Sequence, residues 1–339
     1  MCKQLTLFGF FFACANLFAQ IGGQTVFPFL NLVTSPRQAA LGGKVITIFD
    51  ADVNQAFFNP AAINPEMDQH LSVNYGNHFD EVTYGTAAYA YTYDRHLQTF
   101  HAGINYVNYG KFEGYDENGQ KTSPFSGSET AVSVGYSYNI PYSNFYVGAN
   151  AKFIASQLES YNATAAAIDI GALFIDEKND VNWALVIRNI GTQLSNYADT
   201  KEKLPLEILV GVSQEVQNVP VRWHLTLENL QQWNIAFSNP ARAVGNIDGG
   251  STPEKLNFLS NTMRHVILGV ELLPKKSFNL RISYNFRRAA ELSIVDQRNF
   301  SGISLGFGLK FNQIKFDYSY SKYTLAANNS LFGLTINFQ

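Results

Sequence analysis

The C-terminal part of the chain alternates with a period of two, four times in succession. Phe278, Leu280, Ile282, Tyr284 and Phe286 interleave with Asn279, Arg281, Ser283 and Asn285. Ile303, Leu305, Phe307, Leu309 and Phe311 interleave with Ser304, Gly306, Gly308 and Lys310. Ile314, Phe316, Tyr318 and Tyr320 interleave with Lys315, Asp317, Ser319 and Ser321, and Phe332, Leu334, Ile336 and Phe338 with Gly333, Thr335 and Asn337. Successive side chains of a strand point to opposite faces, so a period of two is a strand signal. All four runs divide alike: one face is large and apolar, the other small or charged.

Ten earlier segments follow the pattern, at about 71–75, 82–93, 98–109, 129–140, 145–155, 163–176, 181–190, 206–214, 221–229 and 265–272. The total is about 14 strands, an even number, as bacterial outer-membrane barrels have. The connections sort by parity. Short turns fall at 94–97, 141–144, 177–180, 215–220, 273–276 and 312–313. The long loops, 110–128, 191–205, 230–264 and 287–300, all fall on the other side, with shorter ones at 76–81, 156–162 and 322–327. A soluble sandwich has no reason to sort loop length this way. A transmembrane barrel has short periplasmic turns and longer extracellular loops. The fold class expected is therefore all-β: a transmembrane outer-membrane antiparallel β-barrel with both termini periplasmic and long loops extracellular.

Composition agrees. Charged residues make up 15% of the chain and aromatics 14%, nearly all Phe and Tyr. The 24 basic and 27 acidic residues nearly balance, and no basic run suggests nucleic acid. After the N-terminus no segment offers the ~20 apolar residues of a membrane helix. A closed barrel needs none, since its strands satisfy each other's backbone groups in lipid.

Residues 1–19 read as a signal peptide: Lys3, an apolar stretch over 5–14, and Ala19 at the cleavage position. Lipoprotein processing at Cys14 is the alternative, less well matched because the chain stays apolar beyond it. Cys2 and Cys14 both lie in this segment, so cleavage after Ala19 leaves no thiol for disulfides, thiolate metal sites or nucleophiles. The division expected is 1–19 signal, 20–66 leader and hatch-like segment, and 67–339 barrel.

The leader carries no charge until Arg37 and reads as extended over 20–37. From Ala39 to Ala62 the chain is compact and bent. Gly42 and Gly43 allow a turn or close packing where a Cβ would clash. Asn59-Pro60 ends the helical turn begun at 56–58, since proline disfavours the α region for the residue before it. With Ala61 these form a hatch-like structural motif (Gly42, Gly43, Asn59, Pro60, Ala61) folding into or under the mouth of the barrel.

Little catalytic chemistry is on offer. Asp50, Asp52 and Asn54 imitate the start of a calcium loop, but Gln55 stands where that loop needs glycine and Ala61 where it needs glutamate. The six histidines have no metal spacing. No nucleophile elbow, phosphate loop or carboxylate pair emerges, so neither an enzyme nor a cofactor is expected. Asp116-Glu117-Asn118-Gly119 reads as a hairpin tip. The wet face places Lys152, Asp169, Arg188, Arg222, Glu228, Glu271, Arg281, Lys310, Lys315 and Asp317 in the lumen, where mixed charges would pair with each other and with the leader. On the long loops Tyr115, Phe125, Trp233 and Phe237 are either partner contacts or a mutual cap.

Asn59-Pro60-Ala61 resembles a box of the fatty-acid transporter family of outer-membrane barrels. Four features together are similar to the PorV/PorQ family of the type IX secretion system of Bacteroidetes: Gly22-Gly23 with Phe29-Leu30, the run from Ala39 to Ala61, Arg188-Asn189-Ile190-Gly191, and Leu268-Gly269-Val270-Glu271. That resemblance implies a non-enzymatic component of the attachment complex. It would anchor a PorZ-like surface protein beside the PorU/PorV sortase machinery, where cargo is cleaved and joined to anionic lipopolysaccharide. The alternative is a transporter of hydrophobic molecules.

Overall fold

The computed structural model describes residues 25–77, 82–94, 98–198, 200–235, 244–245, 251–252, 257–292, 300–323 and 328–339. The expected signal segment, Gly22-Gly23 and Phe237 lie outside them. Fourteen strands form one closed antiparallel barrel. They are β1 (His70–Asn77), β2 (Thr83–Asp94), β3 (Gln98–Phe112), β4 (Phe125–Asn139), β5 (Phe145–Leu158), β6 (Tyr161–Asp176) and β7 (Val181–Ser195). The second half comprises β8 (Glu207–Glu215), β9 (Val221–Leu227), β10 (Val266–Leu272), β11 (Phe278–Asn285), β12 (Ile303–Phe311), β13 (Ile314–Lys322) and β14 (Asn328–Asn337). Each strand pairs with the next, and β14 closes on β1 from His70↔Asn337 to Asn77↔Ser330. Closure leaves no sheet edge unpaired.

The alternation decides which face is which. Ile168, Ile170, Leu185, Ile282, Leu305, Phe332 and Leu334 point outward and are exposed, while Asn150, Asp169, Glu271 and Arg281 point inward and are buried. Apolar-out and polar-in is the pattern of a barrel in lipid. The short turns lie at one end, together with the start of β1 and the C-terminus, where Gln339 Nε2 donates to Asp68 Oδ2 at 2.9 Å. At the other end β3 to β7 run 14–16 residues. A tilted strand crosses the hydrocarbon core in about 9–11 residues. These five therefore project beyond it, and stretches expected as loop, 191–195 of β7 among them, are strand instead. Phe125 is the first residue of β4, stacked on its cross-strand partner Phe112 at 5.3 Å. The expected loop 156–162 shrinks to a tight turn between β5 and β6.

The N-terminal segment lies inside the lumen. Of the leader expected as extended over 20–37, the described part from Thr25 onward contains short helical turns instead, Pro28–Asn31 and Pro36–Ala40. Three more follow, Val53–Phe57, Pro60–Ala62 and Pro65–Met67, each with an Asp or Asn side chain capping its first turn. Ala40, Leu41, Ile46, Val53, Ala56, Ala61 and Met67 are fully buried. This plug, with the wall residues that pack on it, is the core of the molecule.

Candidate functional site: the plugged lumen

An irregular segment buried in a lumen must find partners for its backbone groups. Wall side chains supply them. Asn150 Nδ2 donates to Ala56 O at 2.7 Å, Asn182 Nδ2 to Thr47 O at 3.1 Å and Asn285 Nδ2 to Gly42 O at 3.2 Å. The plug also satisfies itself. The Gln38 amide accepts from Val45 N–H and donates to Val45 O, both at 2.7 Å, replacing a missing strand partner. Asn59 Oδ1 accepts from Ala61 N–H at 2.9 Å while its Nδ2 donates to Ile46 O at 2.7 Å. The Asn59-Pro60-Ala61 turn rests on the cross-strand pair Gly148↔Gly171, where any Cβ would overlap Pro60 or Asn59. Gly42 (φ +96°) is needed twice, since a Cβ there would also sit 2.5 Å from Ile267 Cγ2.

Charge does the rest. Arg37 is buried and its five N–H donors are all used. Nε and Nη2 grip Glu271 of β10 at 3.0 and 2.9 Å, Nη1 and Nη2 grip Asp50 at 2.9 and 2.8 Å, and Nη1 reaches Asp52 at 3.5 Å. Glu271 also accepts from Arg281 Nε at 2.9 Å, and Arg281 Nη1 donates to Asp317 at 2.6 Å. Lys315 completes the chain at 3.1 Å from Asp317, and Arg222 lies 3.6 Å from Asp50 and 3.4 Å from Glu215. With Lys275 on Glu215, five cations face five carboxylates. Burial pushes the Asp50 carboxyl up, but the Arg37 guanidinium outweighs it and holds Asp50 well below the usual carboxylate range. The same carboxylates hold Arg37 charged against the cost of its own burial.

A second cluster sits nearer the long loops. Lys44 of the plug pairs with Glu207 of β8 and, at 3.3 Å, with Glu228. Arg188 of β7 pairs with Glu207 at 3.0 Å and donates to Leu30 O at 3.1 Å. Lys152 pairs with Asp169 at 2.6 Å. The adjacent Arg188 and Asn189 both face inward, breaking the alternation, because the β6–β7 register shifts between Ile168 and Ile170. Asn189 takes φ +58°, and its N–H donates to Asp169 Oδ1 at 2.8 Å. That bulge gives the Arg188-Asn189 pair a physical role: Asn189 Nδ2 reaches Asn31 of the plug at 3.1 Å.

The structure thus gathers Arg188, Glu271, Arg281, Lys315 and Asp317 into the lumen together with Gly42, Gly43, Asn59, Pro60 and Ala61. Lys310 stands apart, exposed at the short-turn end and without an ion pair among the described residues. On the long-loop side Trp233 stacks on His265 at 5.1 Å and lies tilted against Phe258 at 5.5 Å, forming a small cap. Tyr115 is 60% exposed, with its hydroxyl on Glu113. Sequence reasoning missed Arg37, Lys44, Asp50 and Glu207 as members of the network. Glu207 was legible, since it shares the inward face with Leu209, Gly211 and Ser213. Asp50 and Asp52, which imitate a calcium loop, face Arg37.

No protein-family model and no curated protein matches this chain. Solved structures do match. The Ralstonia pickettii toluene transporter TbuX is 14% identical with a TM-score of 0.54, covering 93% of this chain and 100% of its own. A deletion mutant of the TodX monoaromatic hydrocarbon channel is 12% identical at 0.55, covering 91% and 100%. A Pseudomonas aeruginosa FadL homologue is 12% identical at 0.51, covering 90% and 98%. The first of these neighbours is a transporter and the second a channel. The chain has their fold, a closed 14-strand antiparallel outer-membrane β-barrel of the FadL type.

Proposed function

We propose that this barrel works with its lumen shut, as an outer-membrane anchor for a surface partner. In that role it is a PorQ-like component of the type IX secretion attachment complex, holding a PorZ-like protein at the long-loop end. The observation that carries the reading is the Arg37 lock. A plug tied to the wall by paired, buried charges suits a scaffold more than a conduit, and the projecting β3–β7 rim offers a rigid platform. Short turns and both chain termini face the periplasm in this reading, as parity of loop length implies. The ordered motif set supports the specific system. Deleting the gene tests it: surface-attached cargo should appear in the medium, or be held back with its C-terminal signal uncut. Cargo still anchored in the deletion strain overturns the reading.

The fold comparisons favour the second reading, transport of hydrophobic molecules, more directly than the first, since the named neighbours carry toluene and monoaromatic hydrocarbons. In that case the plug is a gate and the ion pairs are its latch. Loss of hydrophobic-substrate uptake in the deletion strain, with cargo unaffected, would select it.

A further inference from the structure

The wall of the barrel is uneven in height. β3 to β7 run 14–16 residues, whereas β9 and β10 run 7 each. Seven residues tilted by about 40° climb about 18 Å, short of an apolar band about 25 Å tall. The outer face carries the same difference. On the tall side it turns polar before the strands end: Asn108, Ser128, Gln157 and Asn162 form one cross-strand row there. On the short side it stays apolar to the last pair of the ladder, Leu227↔Val266, with Leu225, Leu268, Ile282 and Tyr284 beside it. These strands stop while their outer face is still suited to lipid.

A cap of residues 228–235 and 257–265 stands directly on that last pair, since Glu228 N–H donates to His265 O at 2.9 Å, one step beyond the ladder. In it Phe258 is 73% exposed, Leu259 66% and Trp233 45%. Leu259 lies on the face of the short helix Phe258–Arg264 opposite the buried Asn261. An apolar cluster this exposed marks a contact surface. The cap's charged and titratable members, Glu228, Arg264 and His265, are all buried. On the tall side, by contrast, Glu113, Asp116, Glu117 and Lys121 are exposed. Lipid also demands that backbone groups be satisfied within the chain. Leu230 N–H donates to Ile208 O at 3.1 Å, Asn257 Oδ1 accepts from Ser260 N–H at 2.7 Å, and Asn261 Nδ2 donates to Trp233 O. We propose that this cap lies in the leaflet at the long-loop end, with Phe258, Leu259 and Trp233 against acyl chains. It completes the lipid-facing band where β9 and β10 are too short to do so. Lipid is the occupant because the cluster continues, without a polar row between, a strand face already in lipid. The inference holds whether the barrel anchors or transports.

The chain from Gln20 to Gln339 has no cysteine, so a single label can be placed at will. The test puts a nitroxide on Leu259→Cys, in barrels with their plug reconstituted into dioleoylphosphatidylcholine vesicles. Leu268→Cys, on the outer face of β10, is the lipid reference, and Tyr115→Cys, on an exposed loop, the water reference. Electron paramagnetic resonance power saturation compares collisions with oxygen, which concentrates in lipid, and with a nickel chelate, which stays in water. The oxygen-to-nickel ratio at Leu259 is expected to match that at Leu268 and to exceed that at Tyr115 severalfold. A ratio matching Tyr115 overturns the proposal: the bilayer then thins to meet the short wall, and the cluster faces water or a protein partner. Heat-modifiable migration checks that each variant is folded. Should Leu259→Cys fail that check, Phe258→Cys is read against the same references with the same expectation.

Discussion

A guanidinium whose five donors are all engaged cannot be exchanged for a point charge. Arg37→Lys keeps the cation but loses the fork that grips Glu271 and Asp50 at once. Arg37→Ala goes further and leaves Glu271, which is 0% exposed, to Arg281 and the more distant Arg222. Removing one partner of a buried ion pair costs about 3–5 kcal/mol. We expect Arg37→Ala to free the plug, seen as faster proteolysis of residues 25–66 with the barrel still heat-modifiable. Arg37→Lys should fall between. The pH dependence of the lock has a definite sign. Asp50's carboxyl titrates lower in the folded chain than in the unfolded one. Its pairing therefore stabilises fully above the unfolded value of about 3.9, and that contribution is lost as pH falls below it, through the lower folded value. Hydrogen exchange over residues 36–58, corrected for intrinsic rates, should be unchanged from pH 7 to 5 and rise as the solution is acidified further.

Elements depend on residues that break their own rules. The β5–β6 pair carries Gly148 opposite Gly171 where a wall would ordinarily carry bulk, and that dent receives Asn59 and Pro60. Gly148→Val should leave the strands paired but expel the Asn59-Pro60-Ala61 turn. The check is protease sensitivity of the plug with unchanged far-ultraviolet circular dichroism. The β7 bulge is the second case. Asn tolerates the left-handed region and a β-branched residue does not. Asn189→Val should cost on the order of 1–3 kcal/mol through backbone strain, lowering thermal stability. Asn189→Gly should recover the strain but not the contacts to Asn31 and Pro205.

For the whole molecule, a lumen packed with chain and paired charge should pass no ions. The wild-type barrel in a planar bilayer is expected to be electrically silent, and Arg37→Ala to show openings. A silent variant whose plug is nevertheless protease-sensitive would mean that the second cluster, Lys44 with Glu207 and Glu228, closes the lumen unaided. Strand number and the sorting of loop lengths were legible because they rest on local facts: a strict period of two and short turns between strands. All fourteen strands stand within a few residues of where the alternation puts them. The errors cluster at the long-loop ends of β3 to β7, where strands continue past the bilayer and no change of environment marks their limit.

The sequence by itself determined the barrel, because each strand's inside and outside are written in its own alternation and adjacent strands pair in chain order. It also marked the segment around Asn59-Pro60-Ala61 as something other than a strand. Only the tertiary structure decided where that segment goes and what holds it. Arg37 and Glu271 are 234 positions apart, and no periodicity links a lone cation in an uncharged leader to one carboxylate among several on the wet face. Pairing across that distance exists only once closure has made the lumen narrow enough for both charges to lose their water together.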